Sequence, residues 1–237
     1  MPNYDAQEIA KFDAIAATWW DTNGDFGMLH RMNPLRLQFI RERANGLVEK
    51  KALDVACGGG ILSEALAAEG ASVTGIDLSE DSLQTAKLHL LESKLKIDYQ
   101  FLSAEDLATK HPQTFDVITC LELLEHVPDP AAIVKACSDL VKPNGDVFFS
   151  TLNRHPKSYL MAILGAEYLL KLVPRGTHDY GKFIRPSELD TWVRANGLEI
   201  KAISGIEYNP LTKHFFLSSD VKVNYIVHCK KVKNNIL

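Results

Sequence analysis

From Lys51 to Thr151 short apolar runs alternate with amphipathic stretches, the texture of strands buried on both faces and joined by helices. Ala52–Ala56 reads as a first strand, closed by Cys57-Gly58-Gly59-Gly60, and Ile61–Glu69 as a helix ended by Gly70. Ser72–Asp77 is a second strand, after which Ser79 caps a helix to about Ser93. Further strands are predicted at Ile97–Leu102, Phe115–Cys120 and Gly145–Thr151, with a helix over about Pro130–Val141 stopped by Lys142-Pro143-Asn144-Gly145. Before this region, EIAKFDAIAATWW has helical apolar spacing, and Asn33-Pro34 starts a helix to about Arg43. After it come a helix beyond Pro186 and two strand candidates, Leu198–Tyr208 and Val221–Lys230, read as an antiparallel pair at a sheet edge. The expected fold is α/β, a doubly wound and mostly parallel sheet with that edge pair. One domain over residues 1–237 is expected: a helical cap (1–50), a core (51–153), an insertion (154–185) and a C-terminal part (186–237).

Composition narrows the partners. Lys plus Arg number 26 and Asp plus Glu 30, a net charge of −4 that argues against nucleic acid as the main partner. Four dispersed cysteines without a CxxC pair fit reduced thiols in a cytosolic protein. The start carries no basic region followed by an apolar run, so secretion is not expected. Tyr159–Val173 is the longest apolar-rich stretch; broken by Glu167 and Lys171, it falls short of the roughly 20 residues that span a bilayer.

In an open α/β sheet, ligands sit beyond the carboxyl ends of the strands near the first one. Here that place holds Asp54-Val55-Ala56-Cys57-Gly58-Gly59-Gly60, and Asp77 closes the next strand. A dinucleotide fingerprint needs glycine at 56, 58 and 61, where the chain has Ala56, Gly58 and Ile61. Asp54 beside the loop suits a cationic ligand better than a diphosphate, and Asp77 can accept from both hydroxyls of a ribose. Those features favour S-adenosylmethionine, with its ammonium and sulfonium, over NAD.

The DVACGGG segment resembles the first motif of class I S-adenosylmethionine-dependent methyltransferases. WWD at 19–21, LHRMNPLRL at 29–37, CLELLEHVPDP at 120–130, LVKPNGDVFFSTLNR at 140–154 and GTHDYGKFIRPSEL at 176–189 together resemble the ubiquinone-biosynthesis O-methyltransferase family. Ala56 departs from that pattern, which usually has glycine there. The resemblance implies that Arg36 reaches the methionine carboxylate, that backbone around Ala56 and Gly58 lies against the cofactor, that Asp77 holds the ribose and that Leu121 touches the cofactor. It also places the adenine by Ser103-Ala104-Glu105-Asp106. Without it, Arg36 reads as a solvated helix residue and Leu121 as core.

Glu122, Glu125 and His126 follow the fourth strand, and on a helical turn they would share a face. Two carboxylates and an imidazole suit a divalent cation such as Mg²⁺, which would lower the pKa of a phenol; alternatively His126 takes the phenol proton itself. Glu122 and His126 are the expected catalytic residues; Glu122, Glu125 and His126 are the expected metal ligands. His155, His178 and Asp179 fall in the insertion, which would cover the acceptor side. Tyr159–Val173, flanked by Lys157 and Arg175, reads as a lid, a dimer interface or a helix lying on anionic lipid.

The reading is an O-methyltransferase acting on polyprenyl catechol-type intermediates, an early 2-polyprenyl-6-hydroxyphenol and a late 3-demethylubiquinol. It would be cytoplasmic and peripherally associated with the inner face of the membrane, near other proteins of the pathway. The alternatives are an O-methyltransferase with another phenolic or carboxylate acceptor, and a non-catalytic cofactor-binding adaptor.

Overall fold

The computed structural model describes residues 3–159, 179–209, 212 and 214–232. Among the described residues eight strands form one sheet: β1 (Lys51–Val55), β2 (Ser72–Asp77), β3 (Ile97–Phe101), β4 (Phe115–Leu121), β5 (Val141–Leu152), β6 (Leu198–Asn209), β7 (His214–Ser218) and β8 (Asn224–Lys231). Their order is β3-β2-β1-β4-β5-β8-β6-β7. Pairs among β1–β5 are parallel, whereas β5–β8, β8–β6 and β6–β7 are antiparallel. The chain winds outward from β1 to β3, then restarts beside β1 with β4, so the carboxyl ends of β1 and β4 flank a topological switch point.

The α-helices among the described residues are α1 (Ala6–Ile15), α2 (Gly27–Arg43), α3 (Ile61–Ala68), α4 (Glu80–Ser93), α5 (Ala104–Lys110), α6 (Pro130–Leu140), the single turn α7 (Pro156–Ser158) and α8 (Pro186–Ala195). Several begin on short polar caps legible in the sequence: Asp5, Ser79, Ser103 and Asp129 each accept from a backbone N–H in the first turn. The two-residue period of the strands divides the core between the two faces of the sheet. Leu53, Ile118, Phe149 and Val227 join α5, α6 and α8 on one face, while Ala52, Val117, Phe148 and Ile226 join α2 and α3 on the other. All four cysteines are free and buried.

Three expectations change in detail. The helix read as starting at Asn33-Pro34 begins at Gly27 and carries Pro34 inside it. Proline is tolerated there because the surrounding packing against α3 and β7 holds the helix, and Asn33 Nδ2 donates to Ile61 O at 3.2 Å. The segment Lys142–Gly145, read as a stop, is an irregularity within β5, where pairing with β4 jumps from Val141 to Asp146. The connection between the two C-terminal strands contains β7, which becomes the sheet edge, and β8 lies between β5 and β6.

No helix among the described residues is long and apolar enough to cross a membrane. Residues 160–178, which hold most of the Tyr159–Val173 stretch and His178, lie outside the described residues. Asp179 accepts from Gly181 N at 2.9 Å and caps the turn Tyr180–Lys182.

Candidate active site

A cavity of about 520 Å³ opens along the carboxyl ends of the strands. Arg36, Ala56, Gly58, Asp77, Leu121, Glu122, Glu125 and His126 all line it, so the residues singled out in the sequence share one site.

Its first wall is the glycine loop. Asp77, at the end of β2, accepts from Gly58 N at 2.7 Å and from Ser79 N at 2.8 Å, which ties the loop to the start of α4. Burial pushes the Asp77 carboxyl upward, against these backbone donors. Asp54 does a different job from the one expected. Its oxygens accept from Ser63 Oγ and Thr119 Oγ1, both at 2.7 Å, so it pins α3 and β4 together beneath the loop. Burial raises its pKa to about 6.

The loop is roofed by the N-terminal segment. A Cβ on Gly58 would lie 2.4 Å from the Trp19 ring, and one on Gly59 2.3 Å from it, so both glycines are required by close approach. Trp19 Nε1 donates to Ser82 Oγ at 3.0 Å and Trp20 Nε1 to Gly59 O at 2.9 Å. Trp20 also stacks on His89 with ring centroids 3.4 Å apart. Ala56 occupies the left-handed region at φ 57°. That conformation costs a residue with a side chain about 1–2 kcal/mol, more than the extra unfolded-state entropy that glycine brings. Ala56→Gly is therefore expected to raise the melting temperature by about 1–2 °C, measured by differential scanning calorimetry, where Ala→Gly inside a helix would lower it.

The second wall carries the charges. Leu121 ends β4, and Glu122 then takes a left-handed φ of 54° while its N–H donates to Ser150 O at 3.0 Å. This kink separates Glu122 from the single 3-10 turn Leu124–His126, so the expected helical face does not form. Glu122 Oε1 instead accepts from Arg36 at 2.5 Å and from Ser150 Oγ at 2.7 Å, with Asn224 Nδ2 at 3.3 Å. Burial works to raise its pKa, but the Arg36 charge and these donors outweigh it and hold the carboxyl low. Glu125 is buried and accepts from Thr151 Oγ1 at 2.7 Å. Burial first, and then the Glu122 charge, push Glu125 up to about 8, so at neutral pH it keeps its proton and is hydrogen-bonded to Glu122.

His126 faces elsewhere. Its Nδ1 lies 3.0 Å from Glu8 Oε2 on α1, and Phe12 meets its ring edge-on. Burial alone would raise the Glu8 pKa, yet Lys11 and His126 bring it down to about 2. Glu122 and Glu125 thus meet each other, held by Arg36 and Thr151, while His126 turns away to Glu8, and among the described residues no group of three or more His, Cys, Asp or Glu is arranged to hold a metal ion. Among the described residues, two buried polar atoms of the cavity lining lack a hydrogen-bond partner: Arg36 Nε, a donor, and Asn224 Oδ1, an acceptor. Unsatisfied groups of this kind are costly unless a ligand or water completes them.

A methyltransferase-domain family model matches residues 28–203. The ubiquinone biosynthesis O-methyltransferase of Saccharophagus degradans is 59% identical over 231 residues, 97% of this chain and 98% of that one. Its counterpart from Pseudomonas aeruginosa is 60% identical over 231 residues, 98% of this chain and 99% of the relative. This chain belongs to the ubiquinone biosynthesis O-methyltransferase family. Among solved structures, magnesium protoporphyrin IX methyltransferase from Synechocystis PCC 6803 with bound SAH shares the fold at a TM-score of 0.69 and 17% identity, covering 94% of each chain.

For this methyltransferase, Glu8, Ser150, Thr151 and Asn224 were not singled out by sequence reasoning. Glu8 meets His126 across 118 positions, and Asn224 meets Glu122 across 102. Only the helical spacing of the N-terminal lead-in hinted that one face of α1 packs on something.

Proposed function

We propose that this methyltransferase transfers a methyl group from S-adenosylmethionine to hydroxyls of polyprenyl catechol-type intermediates of ubiquinone biosynthesis, an early 2-polyprenyl-6-hydroxyphenol and a late 3-demethylubiquinol. The observation that carries the reading is Arg36: a buried guanidinium in the cavity wall, with Nε unpartnered, beside a glycine loop clamped by Asp77. A carboxylate-bearing, ribose-bearing ligand satisfies both. Arg36 takes the methionine carboxylate, Asp77 the ribose hydroxyls, and the backbone at Ala56 and Gly58 with Leu121 packs on the rest.

The bound cofactor supplies an electrophilic methyl group on a sulfonium sulfur. The chain aligns the acceptor oxygen in line with it and keeps water out. Trp19 and α1 close the cofactor side. His126, steadied by Glu8, accepts the phenol proton as the oxygen attacks. Glu122 acts by fixing Arg36. A polyprenylated acceptor resides in the bilayer, so the enzyme works at an anionic membrane surface on its cytoplasmic side, with Lys157 near the cavity.

A second reading follows from the acidic character of the same wall: a divalent cation held by Glu122, Glu125 and His126. It requires Glu122 to leave Arg36 and Glu125 to lose its proton. One assay separates the two. With labelled cofactor and a short-chain prenyl catechol, turnover that survives exhaustive EDTA treatment is expected of a His126 base, and His126→Ala then lowers kcat by about 10²–10⁴. Loss of turnover on chelation, restored by Mg²⁺, decides for the cation.

A further inference from the structure

We propose that the acceptor's isoprenoid chain lies in a trough between α2 and the β6–β7 hairpin, with Tyr208 and Phe215 at its outer end. This rests on the O-methylation reading above and adds the binding site of the tail. The cavity runs along the carboxyl rim from Asp77 on β2 to Phe215 on β7. That is six strand spacings, roughly 29 Å at about 4.8 Å each. The cofactor residues occupy the β2-β1-β4 part, and the remainder lies over β5, β8, β6 and β7.

The chemistry of the wall changes along this line. Beyond β5 it is formed by Met28, Leu29 and Met32 of α2 facing Ile206, Tyr208 and Phe215. Met32 and Ile206 are buried, and Leu29 and Phe215 pack against the same cluster, so the surface is continuous. Apart from Asn224 Oδ1, polar groups that share this end are engaged with protein partners. Lys157 Nζ donates to Asp220 at 2.6 Å, Ser218 Oγ donates to Glu207 at 2.6 Å, and Asn224 Nδ2 reaches Glu122. Tyr208 and Phe215 face each other across the hairpin, ring centroids 5.0 Å apart. The strand alternation sends Phe216 to the opposite side, where it is 44% exposed.

A trough walled mainly by methionines, aliphatic side chains and aromatic rings adapts to a flexible hydrocarbon chain. Each methylene moved into it from water strengthens binding about fourfold. The tail therefore anchors the acceptor, while the ring is left to reach the methyl donor near Leu121 and Glu122.

The test compares two acceptors on the full-length enzyme, a catechol bearing a farnesyl chain and the same catechol bearing a methyl group. The readout is the ratio of their kcat/KM values. Phe215→Asp is expected to lower that ratio about tenfold or more, and Phe216→Asp, on the outer side of the same strand, to leave it within about twofold. If Phe215→Asp does not fold, as judged by its melting transition, Tyr208→Asp at the half-buried neighbouring position gives the same readout. An unchanged ratio in a folded, active variant of Phe215 or Tyr208 overturns the tail site alone, as does an equal shift from Phe216→Asp. No methyl transfer to either catechol by the unaltered enzyme overturns the O-methylation reading, and the tail site with it.

Discussion

Replacing Asp77 with alanine is expected to weaken binding of S-adenosylhomocysteine by about 30- to 150-fold, or roughly 2–3 kcal/mol. Two losses combine. The first is the charge-assisted pair of hydrogen bonds proposed for the ribose hydroxyls. The second is internal: Asp77 is the acceptor for Gly58 N and Ser79 N, so its removal frees the loop whose closeness to Trp19 shapes the cofactor wall. Asp77→Asn keeps one acceptor oxygen for these backbone donors and should fall between the two. Isothermal titration calorimetry on protein with a normal melting transition reads the effect. Unchanged affinity in folded Asp77→Ala would remove Asp77 from the cofactor site.

The other large effect is expected at Arg36, where folding and binding are superimposed and can be separated. Arg36 is 6% exposed and carries the charge that keeps the partly buried Glu122 ionised. Arg36→Leu leaves that carboxylate without its cation, at a cost of about 2–3 kcal/mol, less than for a fully buried pair because Ser150 and Asn224 still donate to it, or roughly 5–10 °C in melting temperature for a chain of this size. Adding Glu122→Gln removes the stranded charge, so the double variant should recover most of the stability. It should not recover cofactor affinity, because Arg36 Nε is no longer there to meet the ligand. Recovery of both stability and affinity in the double variant would mean that Arg36 serves only to balance Glu122.

Period and punctuation made much of the fold legible. Ser72–Asp77 and the cap at Ser79 are local matters of alternation and a short polar side chain, and the structure has them as read; the caps at Ser103 and Asp129 are of the same local kind. Glu122 illustrates the opposite case. Glutamate followed by Leu-Leu-Glu-His looks helical from residue types alone, yet β5 claims the Glu122 N–H through Ser150 O and turns the backbone left-handed. Pro34 was misread for a similar reason, because contacts with α3 and β7 extend a helix that proline by itself would begin. β7 escaped notice because a five-residue strand at a sheet edge has too few alternations to stand out.

The sequence by itself determined which kinds of group the site would contain: a flexible glycine loop, a carboxylate at the end of the second strand, and acidic and imidazole side chains after the fourth. Those follow from the order of elements, since each residue sits at a strand end whatever the details of packing. Only the tertiary structure decided which groups would meet. Arg36 pairs with Glu122, Glu125 is buried beside that charge and keeps its proton, and His126 turns to Glu8 at the far end of the chain. The physical reason is that protonation and ion pairing depend on distance and burial through space. Those are set by how α1, α2 and β8 close over the rim, and no local pattern records them.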